Sequence, residues 1–109
     1  MKLKEIIDTL NLKALTAIED REVSGVFISD MLSDVMSSAR PDNLWLTVQT
    51  HKNVVSAANL IDIAAIVVIN GKEVPQDTVE LANRFHVHII STPKSAFELA
   101  GQLIEAGLK

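Results

Sequence analysis

The 109-residue chain contains no cysteine, which removes disulfides, thiol catalysis, iron–sulfur clusters and cysteine-ligated zinc together. Glycine is scarce, with four in the whole chain, too few to build a backbone cradle for a triphosphate. Accordingly there is no G-x-x-x-x-G-K-[ST] loop, no G-x-G-x-x-G turn, no G-x-S-x-G elbow and no H-E-x-x-H pair. Positive charge is in the minority: ten Lys and Arg stand against 14 Asp and Glu, for a net charge of −4. Phosphate-backbone binding needs a basic stripe, and none is visible, so nucleic acid is not an expected partner. Long apolar runs are missing too. The run Ile63–Ile69 is far short of a membrane span, and Met1–Glu5 carries charges where a signal peptide has its apolar core. The expectation is a cytoplasmic protein with no membrane partner, no cofactor, no metal and no catalytic residue.

What is present is an ordinary globular balance, 48% hydrophobic and 22% charged, in a length that suits one domain over residues 1–109. Leu3, Ile6, Ile7 and Leu10 fall at helical spacing. Lys13–Thr16 and Val23–Ile28 read as strands. Only about seven residues separate them, too few for a crossover helix, which implies an antiparallel pair or an irregular loop. Ser29 or Asp30 would cap a helix carrying Met31, Leu32, Val35, Met36 and Ala39.

Beyond the Arg40–Asn43 loop, Leu44–Val48 reads as a strand and Asn53–Asp62 as a helix. Ala64–Ile69 is wholly apolar and branched, as in a strand buried on both faces. A helix from Pro75 or Gln76 would turn Val79, Ala82 and Phe85 inward. Val87–Ile90 is the last strand. Thr92-Pro93 would open a final helix carrying Phe97, Ala100, Leu103 and Ile104, closed by Gly107. This order implies a single α/β domain, a mostly parallel five-stranded sheet with helices packed on its faces.

Ligands of open parallel sheets bind outside the carboxyl ends of the strands. Those ends here are Ser29 and Asp30; Thr47, Gln49, Thr50, His51 and Asn53; Asn70 and Gly71; and Ser91 and Thr92. Their chemistry suits a small anionic ligand near helix N-termini, although caps and turns also call for Ser, Thr, Asp and Asn. Gln49, His51 and Lys52 are not required by capping. His86 and His88 read as partly exposed residues at the amino end of the last strand. A strand spans about 13–17 Å, so they and His51 cannot share one metal ion. The helix from Asn53 is apolar almost all round, which implies cover on both sides. A second subunit would supply the outer cover through Val54, Val55, Ala58 and Ile61, or else a neighbouring helix would.

Several segments together resemble the DRTGG domain, a regulatory module of about this size: Val23–Ile28, Asp30–Met36, Leu44–His51, Ile69–Pro75 and Ser91-Thr92. The resemblance covers essentially the whole chain. The family's name comes from an Asp-Arg pair after one strand and a Thr-Gly-Gly after the next. Thr50-His51 stands at the first place and Asn70-Gly71-Lys72 at the second, so only Gly71 is retained. In larger proteins of the family such modules adjoin CBS pairs in a pyrophosphatase or precede a phosphate acetyltransferase domain, and the N-terminal domain of HPr kinase is similar. The resemblance implies a non-catalytic, homodimeric regulatory or scaffolding module, acting through a protein partner or a small anionic effector. The contrasting reading is a small-ligand-binding or phosphotransfer protein using Gln49, Thr50, His51 and Asn70.

Overall fold

An unbroken apolar strand needs cover on both faces, and the chain supplies it in three layers. In the computed structural model, which covers residues 1–109, ten elements follow in order. They are α1 (Leu3–Thr9), β1 (Lys13–Ala14), β2 (Val26–Ile28), α2 (Leu32–Ser38), β3 (Leu44–Thr47), α3 (Asn53–Ile61), β4 (Ala65–Val68), α4 (Gln76–Arg84), β5 (Ile89–Ser91) and α5 (Ala96–Glu105). The sheet order is β1-β5-β4-β3-β2. Every residue of β3 and β4 is buried.

Strands β2 to β5 are parallel neighbours in sequence order. Three right-handed crossovers running in one direction put all their helices on the same face. Thus α2, α3 and α4 pack with Val35, Trp45, Val54, Val55, Ile66, Val68, Ala82 and Ile89. The opposite face would be bare without α1 and α5, which bring Leu3, Ile6, Leu99 and Leu103 onto Leu44, Leu46, Val67 and Ile90. Alternation along β3 and β4 therefore feeds two cores at once.

The sheet is mixed. β1 pairs antiparallel with β5, Lys13 opposite Ser91, and an irregular segment leads from it to β2. β1 thus joins the far edge of the sheet from β2. No helix is long and apolar enough to cross a membrane.

Phe85, expected inward, is exposed, and not every apolar residue expected on the other helices faces the sheet. Phe97 is 91% and Ile104 71% exposed, while Leu99 and Leu103 are buried. The last helix carries two overlapping apolar stripes, and only the Leu99–Leu103 stripe faces the sheet. Its cap is Ser95, not Thr92: the Ser95 hydroxyl accepts from the Glu98 N–H at 3.2 Å, in a Ser-x-x-Glu start. Met31, Met36 and Phe85 are also exposed, because Leu32, Val35 and Ala82 fill the inward positions of α2 and α4.

Val54, Val55 and Ala58 are buried within the single chain, with Ile61 half-buried. Helix α3 is the middle one of three, so its apolar flanks meet α2 and α4. The residues expected at a dimer interface are core residues.

Candidate functional site

The carboxyl ends of β2 to β5 do form one rim, but at β2 and β3 the side chains of Ser29, Asp30 and Thr47 are already engaged. Asp30 Oδ1 accepts from the Thr47 hydroxyl at 2.9 Å and from the Val48 N–H at 3.0 Å. The Thr47 hydroxyl oxygen in turn accepts from the Gln49 N–H at 3.1 Å. Ser29 contributes its carbonyl to the indole N–H of buried Trp45 at 2.8 Å and its hydroxyl oxygen to the Met31 N–H at 3.1 Å. Asp30 therefore braces β3 instead of capping α2. The Thr50 carbonyl accepts from the Thr78 hydroxyl at 2.9 Å, seating the start of α4.

Further along the rim, Asn70 and Gly71 are left-handed, with φ of 60° and 66°, the conformation an Asn-Gly turn favours. Gly71 N–H donates to the Thr92 carbonyl at 3.0 Å, and Asn70 N–H to that of Lys94 at 2.9 Å. Gly71 and Ser91 line a cleft of about 290 Å³ with Lys13, Leu15, Lys72, Glu73 and Val74. Asn53 instead lines an apolar groove on the outer face of α3. The exposed His51 and half-buried Gln49 line neither. The rim is thus split into a braced half at β2 and β3 and an open cleft at β4 and β5.

The reason is topological. Ligand crevices form where strand order reverses, and from β2 to β5 it never does. The order breaks only beyond β5, where β1 is added, and that is where the cleft lies.

A second polar cluster, of which only His86 and His88 are expected from the sequence, occupies the opposite ends of the strands. Glu19, Asp20, Arg21, Asp42, Asp62, His86 and His88 line a cleft of about 330 Å³. Arg21 Nη2 donates to Asp42 Oδ1 at 2.6 Å, and Nη1 to Asp62 Oδ1 at 3.1 Å. Burial pulls the Arg21 guanidinium down, but the bonds to Asp42 and Asp62 outweigh it and hold its pKa above the ordinary value. Asp42, Asp62 and His86 are all left-handed, with φ of 68°, 62° and 59°. Asp62 and His86 end α3 and α4: Ile63 N–H reaches back to the Ala58 carbonyl at 3.0 Å, and Val87 N–H to that of Ala82 at 2.8 Å.

The two histidines here differ from expectation. His88 is 4% exposed and bonded on both ring nitrogens. Its Nε2 accepts from the Glu19 N–H at 3.1 Å, so Nδ1 carries the proton donated to the Ala64 carbonyl at 2.9 Å. His86 precedes β5, is 75% exposed and pairs with Glu19 at 3.0 Å. Asp20 accepts from the Lys4 N–H at 3.0 Å and from the Arg21 N–H at 3.1 Å. The Lys4 bond chiefly holds its carboxyl below the ordinary value, against desolvation. That bond caps the first turn of α1 from a distant loop. No three His, Asp or Glu side chains are arranged to hold a metal ion. The cluster fastens the segment before β2 beneath the sheet. Its signal in the sequence was the Asp20-Arg21 pair and an Asp just ahead of each of β3 and β4.

No family model matches the sequence, and no curated protein matches it. A solved structure does match in three dimensions. It is the crystal structure of the CBS and DRTGG domains of the regulatory region of Clostridium perfringens pyrophosphatase, complexed with the activator diadenosine tetraphosphate. The TM-score is 0.73 at 15% identity, over 95% of this chain and 46% of that one. The fold is of the DRTGG type. The chain spans less than half the length of that regulatory region. Within the DRTGG-type fold, Thr50-His51 follows β3 and Asn70-Gly71-Lys72 follows β4, so both places compared with the family's motif lie on the carboxyl rim.

Proposed function

We propose that the chain is a non-catalytic regulatory module that works as a homodimer and takes a small anionic effector at the carboxyl rim. The observation that carries this reading is the likeness to a regulatory region whose structure holds a nucleotide activator. The open cleft between β1, β4 and β5 is the part of the rim with chemistry for an anion. Lys13 and Lys72 supply two ammonium groups beside the Ser91 hydroxyl, with Glu73 the one carboxylate in the lining. Lysines act there as mobile point charges, which suits a phosphate group more than a fixed planar acid. Ser29, Asp30 and Thr47 are not part of the cleft; Asp30 and Thr47 are bonded to each other and to the main chain after β3.

The test is calorimetric titration and thermal shift with inorganic phosphate, ATP and diadenosine tetraphosphate. A ligand at 100 times its Kd adds ~2.7 kcal/mol of stability, a shift that Lys13→Ala with Lys72→Ala should remove and His51→Ala should leave in place. No shift with any of the three at millimolar concentration would sink the effector reading. A shift lost only in His51→Ala would move the site to the β3 end of the rim.

A further inference from the structure

Asn70 is the one asparagine of the chain that is followed by glycine; the other five precede Leu, Val or Arg. An Asn-Gly pair carries chemistry of its own, because a glycine has no Cβ to shield its nitrogen. That nitrogen can attack the asparagine side chain. The N–Cγ bond that forms closes a five-membered imide, the Cγ–Nδ2 bond breaks, and ammonia leaves with the proton of the glycine N–H. Water then opens one of the two imide carbonyls, which gives aspartate or isoaspartate. Asn70 is exposed, so solvent reaches it.

Two features of the fold keep the attacking nitrogen away. Asn70 is left-handed, with φ of 60°, a region in which ψ is about +47°. At that ψ the Gly71 nitrogen stands anti to the Asn70 Cβ, whereas ring closure needs the two nearly eclipsed. The Gly71 N–H is also engaged, donating to the Thr92 carbonyl at 3.0 Å. Rotating the peptide toward Cγ would break that bond and disturb its neighbours. These are Asn70 N–H to the Lys94 carbonyl at 2.9 Å and Lys72 N–H to the Ile69 carbonyl at 3.3 Å. Pro93 Cα lies 3.9 Å from where a side chain of residue 71 would begin, so the turn rests directly on the loop before α5.

We propose that Asn70 is a latent self-modification site, which deamidates only when the Thr92–Lys94 loop releases the turn. The product carries a carboxylate next to Lys72, in a chain already at a net charge of −4. Isoaspartate also adds a methylene to the main chain, between the two N–H groups that the loop holds. New charge therefore appears beside the cleft of β1, β4 and β5 only in molecules whose turn has opened.

The experiment incubates the intact chain at mildly alkaline pH, folded and in guanidinium chloride. Fragment-ion mass spectrometry locates the product, and enzymatic methylation measures isoaspartate. In the unfolded chain Asn70 should convert ahead of the other five asparagines. In the folded chain its rate should be at least about tenfold lower, because only the opened fraction reacts. Hydrogen exchange of the Gly71 N–H should show matching protection, since one opening frees both. Thr92→Ala removes the hydroxyl that accepts from the Lys94 N–H at 3.2 Å, and should speed deamidation and Gly71 exchange together. Equal rates in the folded and unfolded chains, or an unprotected Gly71 N–H, overturn the proposal. So does a Thr92→Ala variant in which Gly71 exchanges faster while Asn70 reacts no sooner. If Thr92→Ala fails to fold, the parent chain's two rates still decide.

Discussion

Arg21 and Asp42 meet at 2.6 Å across the amino ends of the strands, and that contact joins the loop before β2 to the turn that enters β3. The same guanidinium reaches the Asp62 carbonyl at 3.2 Å, where α3 hands over to β4. One side chain therefore reinforces the main-chain bond from the Asp42 N–H to the Asp62 carbonyl at 3.0 Å and ties the loop before β2 to both segments. Arg21 is 26% exposed and Asp42 46%, whereas Asp62 is 71% exposed. Most of the energy lies in the Asp42 arm, because solvent screens the other. Arg21→Ala should cost about 2 kcal/mol by urea unfolding, and Asp62→Asn, which suits the left-handed backbone there, less than half of that. Equal losses would show that the screened arm matters as much as the buried one.

His88 is a structural crosslink made by one ring. It bonds the Glu19 N–H and the Ala64 carbonyl, so its removal strands two main-chain groups where water has little access. His88→Ala should lose about 2–4 kcal/mol in thermal or denaturant unfolding. Nitrogen-15 shifts of the ring should report the neutral form protonated at Nδ1. A ring protonated at Nε2 would refute the bonding pattern.

Acid should loosen the N-terminal helix first. The folded-state pKa of Asp20 lies below its ordinary value of 3.8, set chiefly by the Lys4 N–H. Between the folded and unfolded pKa values the unfolded chain binds more protons, so stability rises with pH there. The contribution is complete above the unfolded value and disappears as pH falls through the folded one. Asp20→Asn should flatten the pH dependence of the urea midpoint below about pH 5 and speed amide exchange in α1. A slope identical to that of the parent chain would exclude Asp20 as the acid-sensitive cap.

Helix α5 gives a sharp test of orientation. Phe97 is 91% exposed and Leu99 fully buried. Phe97→Ser should change stability by no more than ~0.5 kcal/mol, while Leu99→Ala should cost about 2–5 kcal/mol. The reverse ranking would mean that the helix is rotated about its axis.

His86 ends α4 with φ of 59°, a conformation that costs most L-residues roughly 1–2 kcal/mol. Its Nδ1 contact with Glu19 is exposed on both sides and returns little. His86→Gly should leave the protein as stable or raise its stability by up to ~1 kcal/mol, and His86→Val should lower it. A loss on His86→Gly larger than on His86→Val would show that the imidazole itself is needed.

Sequence alone determined the features that depend on neighbours along the chain. The apolar run at Ala64–Ile69 had to be a covered strand, the Asn53–Asp62 segment had to be covered on both flanks, and Asn70-Gly71 had to turn. Periodicity carried these because each follows from the spacing of apolar side chains within one element. Tertiary structure decided what covers them. Whether α3 met a second subunit or its own neighbours depended on three crossovers placing their helices on one face, a property of strand order that no local window contains. The choice between the two stripes of α5 and the pairing of β1 with β5 were settled in the same way. Glu19 and His88 are 69 residues apart, and Arg21 and Asp62 are 41 apart. A polar group's partner at that distance is chosen by the packed sheet, so the amino-end cluster existed in the sequence only as charged residues waiting for a geometry.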